Sequence, residues 1–198
     1  MYNSTELLES LRSQTEKFLQ KAVTEWQMLP AEVLSTKPAP EKWSIAQCLE
    51  HLNIYGQYYL PAMEKAILEA RRQGRWPASA TFHPGWLGGY FTKLMRPQPD
   101  GRLSSKMKAP ENARPSTDPD PQAMLAEFID QHETLLKLLD VAASVSLHRI
   151  RIPISIAPWL RLKLGDTFLF LVAHTERHVL QAERALMNTA QPAARAAG

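Results

Sequence analysis

The chain has 198 residues, 44% hydrophobic and 22% charged, and its 23 Lys and Arg against 20 Asp and Glu leave a formal net charge of +3. That balance suits a globular domain with a real core and excludes an intrinsically disordered chain. The mild basicity is spread among acidic residues, with no run of five or more Lys or Arg, so no nucleic-acid partner is expected.

The first predicted helix covers about residues 4–28, with Leu7, Leu8, Leu11, Phe18, Leu19, Ala22, Val23 and Trp26 on one face and Asn3 with Glu6 as a capping pair. Its acidic, amphipathic opening, MYNSTELLESLRSQ, does not read as a signal peptide. The second helix opens at WSIAQCLEHLNIYGQYY, where Ser44 and Gln47 can form a capping box. Ile45, Leu49, Leu52, Tyr59, Met63 and Ile67 then recur at helical spacing out to about Arg72. Pro61 removes one backbone donor there and predicts a bend rather than an end. Cys48, the single cysteine, excludes an intramolecular disulfide, suits a reducing compartment and reads as a small core residue.

Nearly fifty residues with eight prolines, Gly74 to Pro121, separate the second helix from the third. This crossover holds PGWLGGYFTKLMRP, with a short helix predicted from about Trp86 to Leu94. Asp120 as N-cap and Pro121 as first helical residue start the third helix, whose seam is Leu125, Phe128, His132, Leu135 and Leu139. Residues 147–164 alternate apolar with polar or small residues and predict an extended segment, one β-ribbon arm. The fourth helix is predicted from Asp166, read as an N-cap after Gly165, to about Met187. Its run FLFLVA is far too short to span a membrane, so no membrane partner and a cytoplasmic location are expected. The expected organisation is all-α: a single four-helix-bundle domain over 1–188, one long crossover between helices two and three, and a disordered tail over 189–198.

The fourth helix carries His174 and His178 one turn apart, about 40° apart around the axis, flanking the stripe of Phe168, Leu171, Val172, Val179 and Ala182. Two such imidazoles can reach one first-row metal ion, or they are simply polar residues at the edge of a core. The zinc-protease pattern needs Glu directly after the first His, whereas Thr175 stands there and Glu176 is rotated by about 200°. The Glu-x-x-His pairs of di-iron bundles are absent too. A third ligand must come from another helix. His51, beside Cys48, Leu52 and Tyr55, is a candidate, although taken singly it reads as a half-buried polar residue. His132 reads as a hydrogen-bonded core histidine, while His83 and His148 carry no pattern.

Gln47 and Gln181 lie about one turn from the candidate ligands and can hydrogen-bond their outer nitrogens; Tyr55 and Tyr59 are candidates to line a pocket. Glu50 points about 100° away from His51 and reads as solvated. Trp76, Trp86 and Tyr90 of the crossover are read as covering the mouth of a site or mediating dimer contacts.

KWSIAQCLEHL, followed much later by GDTFLFLVAHTERHVLQAERAL, resembles the DinB/YfiT-like superfamily of metal-binding four-helix bundles. Its pattern is a Trp-Ser or Trp-Thr entry to helix two, a His about eight residues on, and a His-x-x-x-His pair in the last helix; Trp43, His51, His174 and His178 occupy those places. The resemblance spans roughly residues 4–188. It implies an up-down-down-up helix order, a homodimer, and a three-histidine site at His51, His174 and His178 for one divalent ion: Ni, Zn, Fe or Mn. It further implies a small-molecule substrate and metal-dependent activity as a transferase or hydrolase, with a low-molecular-weight thiol such as bacillithiol, mycothiol or glutathione as co-substrate. The alternative is a non-enzymatic, stress-related bundle whose metal is structural or absent and which acts through protein partners.

Overall fold

A computed structural model describes residues 1–98, 101–102 and 108–190. Each long helix begins where the sequence supplies partners for its free amides. Asn3 accepts from the amides of Thr5 and Glu6 at 2.9 and 3.3 Å and opens α1, Ser4–Thr24. The reciprocal Ser44–Gln47 capping box opens α3, Ile45–Arg72, which runs through Pro61 without ending. Asp120 caps α5, Pro121–Ala142, by accepting from Gln122 and Ala123. Helix α6 runs from Leu164 to Ala190, and the tail expected to be disordered lies, over 191–198, outside the described residues.

Two helix boundaries depart from expectation. Helix α1 closes at Thr24 and the chain continues as a 3-10 turn, Trp26–Met28. Pro30 lies ahead, lacks an amide and disfavours helical geometry at Leu29, so the tighter turn ends the run. Val23, expected on the buried face, is 42% exposed, whereas Trp26 is fully buried. A short helix α2, Ala31–Ser35, follows. Asp166 is not the N-cap of α6: the amides of Leu164 and Gly165 are already satisfied by the carbonyls of Ile150 and Leu147, so no side-chain cap is needed. Asp166 instead sits in the first turn and accepts from the Gly85 amide at 3.0 and 3.2 Å.

The chain is mostly helical. Helices α1, α3, α5 and α6 pack along one another, each of α1 and α3 against both α5 and α6. Their inward faces form two apolar clusters. One gathers Leu7, Tyr59, Met63, Leu139 and Phe168; the other gathers Trp26, Leu49, Leu125, Phe128 and Ala182. Between these clusters along the helices lie the buried polar residues Thr15, His51, His132, His174 and His178, so the core has a polar waist.

In the crossover, β2 (Thr81–Phe82) pairs antiparallel with β1 (Tyr2–Asn3), and helix α4, Trp86–Met95, lies against α6. Gly88 makes that approach possible, since a Cβ there would stand 2.3 Å from Asp166 Cγ. The predicted ribbon is an antiparallel hairpin of β3 (Arg151–Ile154) and β4 (Ala157–Lys163), pairing Ile152 with Leu162 and breaking register between Pro153 and Ile154.

His132 is a core histidine, as expected: its Nδ1 donates to the Phe128 carbonyl at 2.8 Å and its ring packs on that of Phe128. Burial lowers its pKa from the ordinary 6.5 to about 4, against a smaller upward pull from that carbonyl. As pH falls the unfolded chain therefore takes up this proton first. The stability contributed by neutral His132 is complete above about pH 6.5 and is lost between 6.5 and 4. The His132→Phe variant is expected to lose on the order of 2–3 kcal/mol less stability across that window than wild type. Urea unfolding of both proteins at pH 7.5, 5.5 and 4.5 checks it, and equal slopes would refute it.

Candidate metal centre

His51 comes from the second turn of α3, just beyond its capping box, while His174 and His178 come from successive turns of α6. Packing α3 against α6 brings the three rings together with centroid separations of 4.9, 4.6 and 4.7 Å. One ligand-competent atom from each lies within 4.8 Å of the others, and this is the one such group of His, Cys, Asp or Glu among the described residues. All three rings are buried.

The proton placement follows from hydrogen bonding. His51 Nδ1 lies 2.6 Å from the Ala113 carbonyl, which can only accept, so the ring donates through Nδ1 and its Nε2 carries the lone pair. That Nε2 faces His174 Nε2 at 3.1 Å. His174 Nδ1 and His178 Nδ1 are buried without a hydrogen-bond partner. The 3.1 Å approach of two Nε2 atoms, that of His51 carrying a lone pair, fits a cluster whose lone pairs converge on a cation, and the two orphaned Nδ1 atoms are a cost that a purely structural cluster has no reason to bear.

Electrostatics point the same way. Burial lowers the His51 pKa to about 4, opposed by the Ala113 carbonyl. Burial, then the positive fields of His178, His51 and Arg177, hold His174 well below its ordinary range. For His178 the causes are burial, His51 and Arg177, opposed by a hydrogen bond that the ring donates to the Gln181 side-chain oxygen. All three rings are thus neutral at physiological pH, the form in which imidazole is a ligand. A neutral all-nitrogen donor set fits a borderline first-row divalent ion and suits the harder Mg and Ca poorly.

The rest of the site departs in detail from the sequence reading. Gln181 does touch a candidate ligand, His178. Gln47 does not spend its side chain on a histidine. Its Oε1 accepts from the Ser44 amide, and its Nε2 donates to the Ser116 carbonyl at 2.8 Å and the Thr117 carbonyl at 3.4 Å. Glu50 is no idle solvated carboxylate, because it accepts from the Ser116 amide at 2.7 Å and the Ser116 hydroxyl at 3.0 Å. Gln47, Glu50 and His51 therefore grip one stretch of the crossover, residues 113–117, and hold the Ala113 carbonyl against the imidazole. Cys48 is fully buried, and burial pushes its thiol pKa up, so it remains a neutral core residue.

The histidines open onto a cleft of about 1040 Å³ lined by Trp43, Tyr55, Tyr59, Phe91 and Phe170 among others. Tyr55 packs edge-on to His174 at 4.5 Å, and burial raises its phenol pKa to about 12, with a smaller contribution from Tyr59, so it stays protonated. The Tyr59 hydroxyl is tied to Ser155, whose amide donates to it at 3.1 Å. Trp43 stacks on His178 at 5.7 Å. Trp76, Trp86 and Tyr90 do not line the cleft. Trp76 lies under the Arg75 guanidinium, and its carbonyl takes the Ser146 amide. Trp86 and Tyr90 occupy the outer face of α4, whereas Phe91 and Met95 occupy the cleft face. Sequence reasoning missed Ala113, which acts through its backbone and so leaves no side-chain signal, and Arg177, whose spacing of three from His174 placed it on the same helical side.

A mostly helical chain that brings three buried, neutral imidazoles from two facing helices to the floor of a cleft defines a helical protein with an all-histidine donor site. The DinB superfamily matches residues 7–182, and the chain belongs to that superfamily. No curated protein and no solved structure matches it. No helix among the described residues is long and apolar enough to cross a membrane.

Proposed function

We propose that this protein is a divalent-metal-dependent enzyme, a thiol S-transferase or hydrolase, with His51, His174 and His178 holding one Ni, Zn, Fe or Mn ion. The observation that carries the proposal is the meeting of three neutral imidazoles at a cleft large enough for a small-molecule substrate. Such an ion, when bound, supplies the Lewis acidity that lowers the pKa of a thiol or a water near neutral pH. The protein's own contribution is orientation. Ala113 fixes the His51 tautomer, Gln181 steadies His178, and Tyr55 with Phe170 walls one side of the histidines. The protonated Tyr55 phenol is a hydrogen-bond donor to whatever occupies the cleft.

The same reading takes the four long helices as a four-helix bundle in up-down-down-up order, cytoplasmic and homodimeric, without nucleic-acid or membrane partners. The test is turnover of glutathione or another low-molecular-weight thiol with an electrophile, using nickel-, zinc- and manganese-loaded protein beside the His51→Ala variant. Metal-dependent turnover lost in the variant supports the proposal.

A second reading, a non-enzymatic stress-related bundle working through protein partners, draws on the exposed Trp86, Tyr90 and Trp159, which are 85, 59 and 79% accessible. Absence of turnover with every thiol and ion, together with a collapse in melting temperature on chelation, favours it.

A further inference from the structure

The cleft is far more cationic than the chain. Overall 23 basic residues face 20 acidic ones, yet the described residues lining the cleft include Lys42, Arg102, Lys108, Arg114, Arg177 and Arg184 against the single carboxylate of Glu41. Five of these six side chains are exposed and Arg177 is buried, and a concavity lined by charges of one sign concentrates counter-ions. These charges come from three places: the approach to α3, the crossover and α6. Their shared sign is a property of the cleft, not of one helix face.

Helix α6 sets the spacing. His174, Arg177, His178, Gln181, Arg184 and Asn188 all line the cleft, each within three or four residues of the next turn's member, so one stripe of α6 runs from the histidines outward. At about 1.5 Å per residue, Arg184 lies roughly 9 Å along the axis from His178. The Arg184 guanidinium donates to the Gly101 carbonyl at 2.6 Å, which ties it to the crossover. Glu183, its acidic neighbour, is turned toward α1 and pairs with Lys21 at 2.8 Å, so it does not neutralise the cleft.

We infer that the cleft binds an oxyanion-bearing small molecule, its carboxylate or phosphate held by Arg184, Arg114 and Lys42 at the mouth and its other end reaching the histidines. Guanidinium groups suit both oxyanions because each can take two parallel hydrogen bonds. This rests on the proposed function for the role of the histidines, but the anion site stands on the cleft alone.

The test is calorimetric titration of the full-length protein with succinate, inorganic phosphate and neutral succinamide, in zinc-loaded and chelator-treated forms. Succinate or phosphate should bind both forms, weaken as salt rises, and bind at least ten-fold more weakly to an Arg114→Gln/Arg184→Gln variant of unchanged melting temperature. A Lys42→Gln/Arg114→Gln variant, altered only at exposed positions, repeats the test without disturbing the Arg184–Gly101 bond. Tighter phosphate than succinate assigns a phosphate, and the reverse assigns a carboxylate. Succinamide binding as well as succinate, equal affinity in wild type and variants, or no anion binding would overturn the inference. Anion binding without zinc uptake sinks the metal reading alone, and zinc uptake without anion binding sinks this inference alone.

Discussion

In metal-free protein, replacing His178 with leucine is expected to raise the melting temperature by about 2–4 °C, corresponding to roughly 1 kcal/mol, while abolishing metal uptake. His178 is buried with Nδ1 unpartnered, and burial together with His51 and Arg177 disfavours its charged form. Leucine of similar volume removes that orphaned nitrogen and leaves behind only Gln181, which is partly exposed and can turn to water. The zinc affinity should fall by at least about a hundred-fold, since losing a direct ligand costs no less than losing an outer partner, worth roughly 10–100-fold. Zinc at 1,000 times the wild-type dissociation constant should stabilise wild type by about 4 kcal/mol and the variant by no more than about 1.4 kcal/mol. Scanning calorimetry of both proteins, with and without zinc, checks the crossover in stability. A histidine retained for packing predicts the opposite: a metal-free variant less stable than wild type.

The second large effect concerns the joint between the hairpin and α6. Gly165→Ala is expected to destabilise the protein by about 3 kcal/mol, lowering the melting temperature by roughly 6–12 °C. An added Cβ would stand 2.6–2.9 Å from three atoms of the Phe82 ring, which is fully buried and cannot swing away. Phe82 belongs to β2, so displacing it also strains the pairing of Tyr2 with Phe82. The control is Gly89→Ala in α4, where an added Cβ meets nothing within 4 Å; it should gain about 0.5–1 kcal/mol from reduced backbone freedom. Phe82→Leu in the Gly165→Ala background should restore part of the loss by making room. Thermal unfolding of the four proteins decides the matter, and a Gly165→Ala variant as stable as wild type would show that the ring yields.

Local features were legible in the sequence wherever the physics is local. The Asn3, Ser44 and Asp120 caps depend on residues two or three positions away and formed as read. The 3.6-residue period exposed the seam of α5 because each of its members, from Leu125 to Leu139, packs on the same side. The i, i+4 histidines of α6 were visible for the same reason. Partners far along the chain were not legible. Nothing near His51 signals that the carbonyl of Ala113, 62 residues later, would fix its tautomer. Asp166 carried the local signature of an N-cap, but tertiary contacts from Leu147 and Ile150 satisfied the amides first and released it to hold Gly85. Among the crossover aromatics, composition alone did not separate Phe91, on the cleft face of α4, from Tyr90 beside it.

The central claim, that His51, His174 and His178 hold one divalent ion, is tested most directly by elemental analysis of untagged protein beside its His51→Ala and His174→Ala variants. The account predicts about one equivalent of a first-row ion in wild type and loss of it in both variants. Wild-type protein that carries no metal and also fails to take up added nickel, zinc or manganese would contradict it.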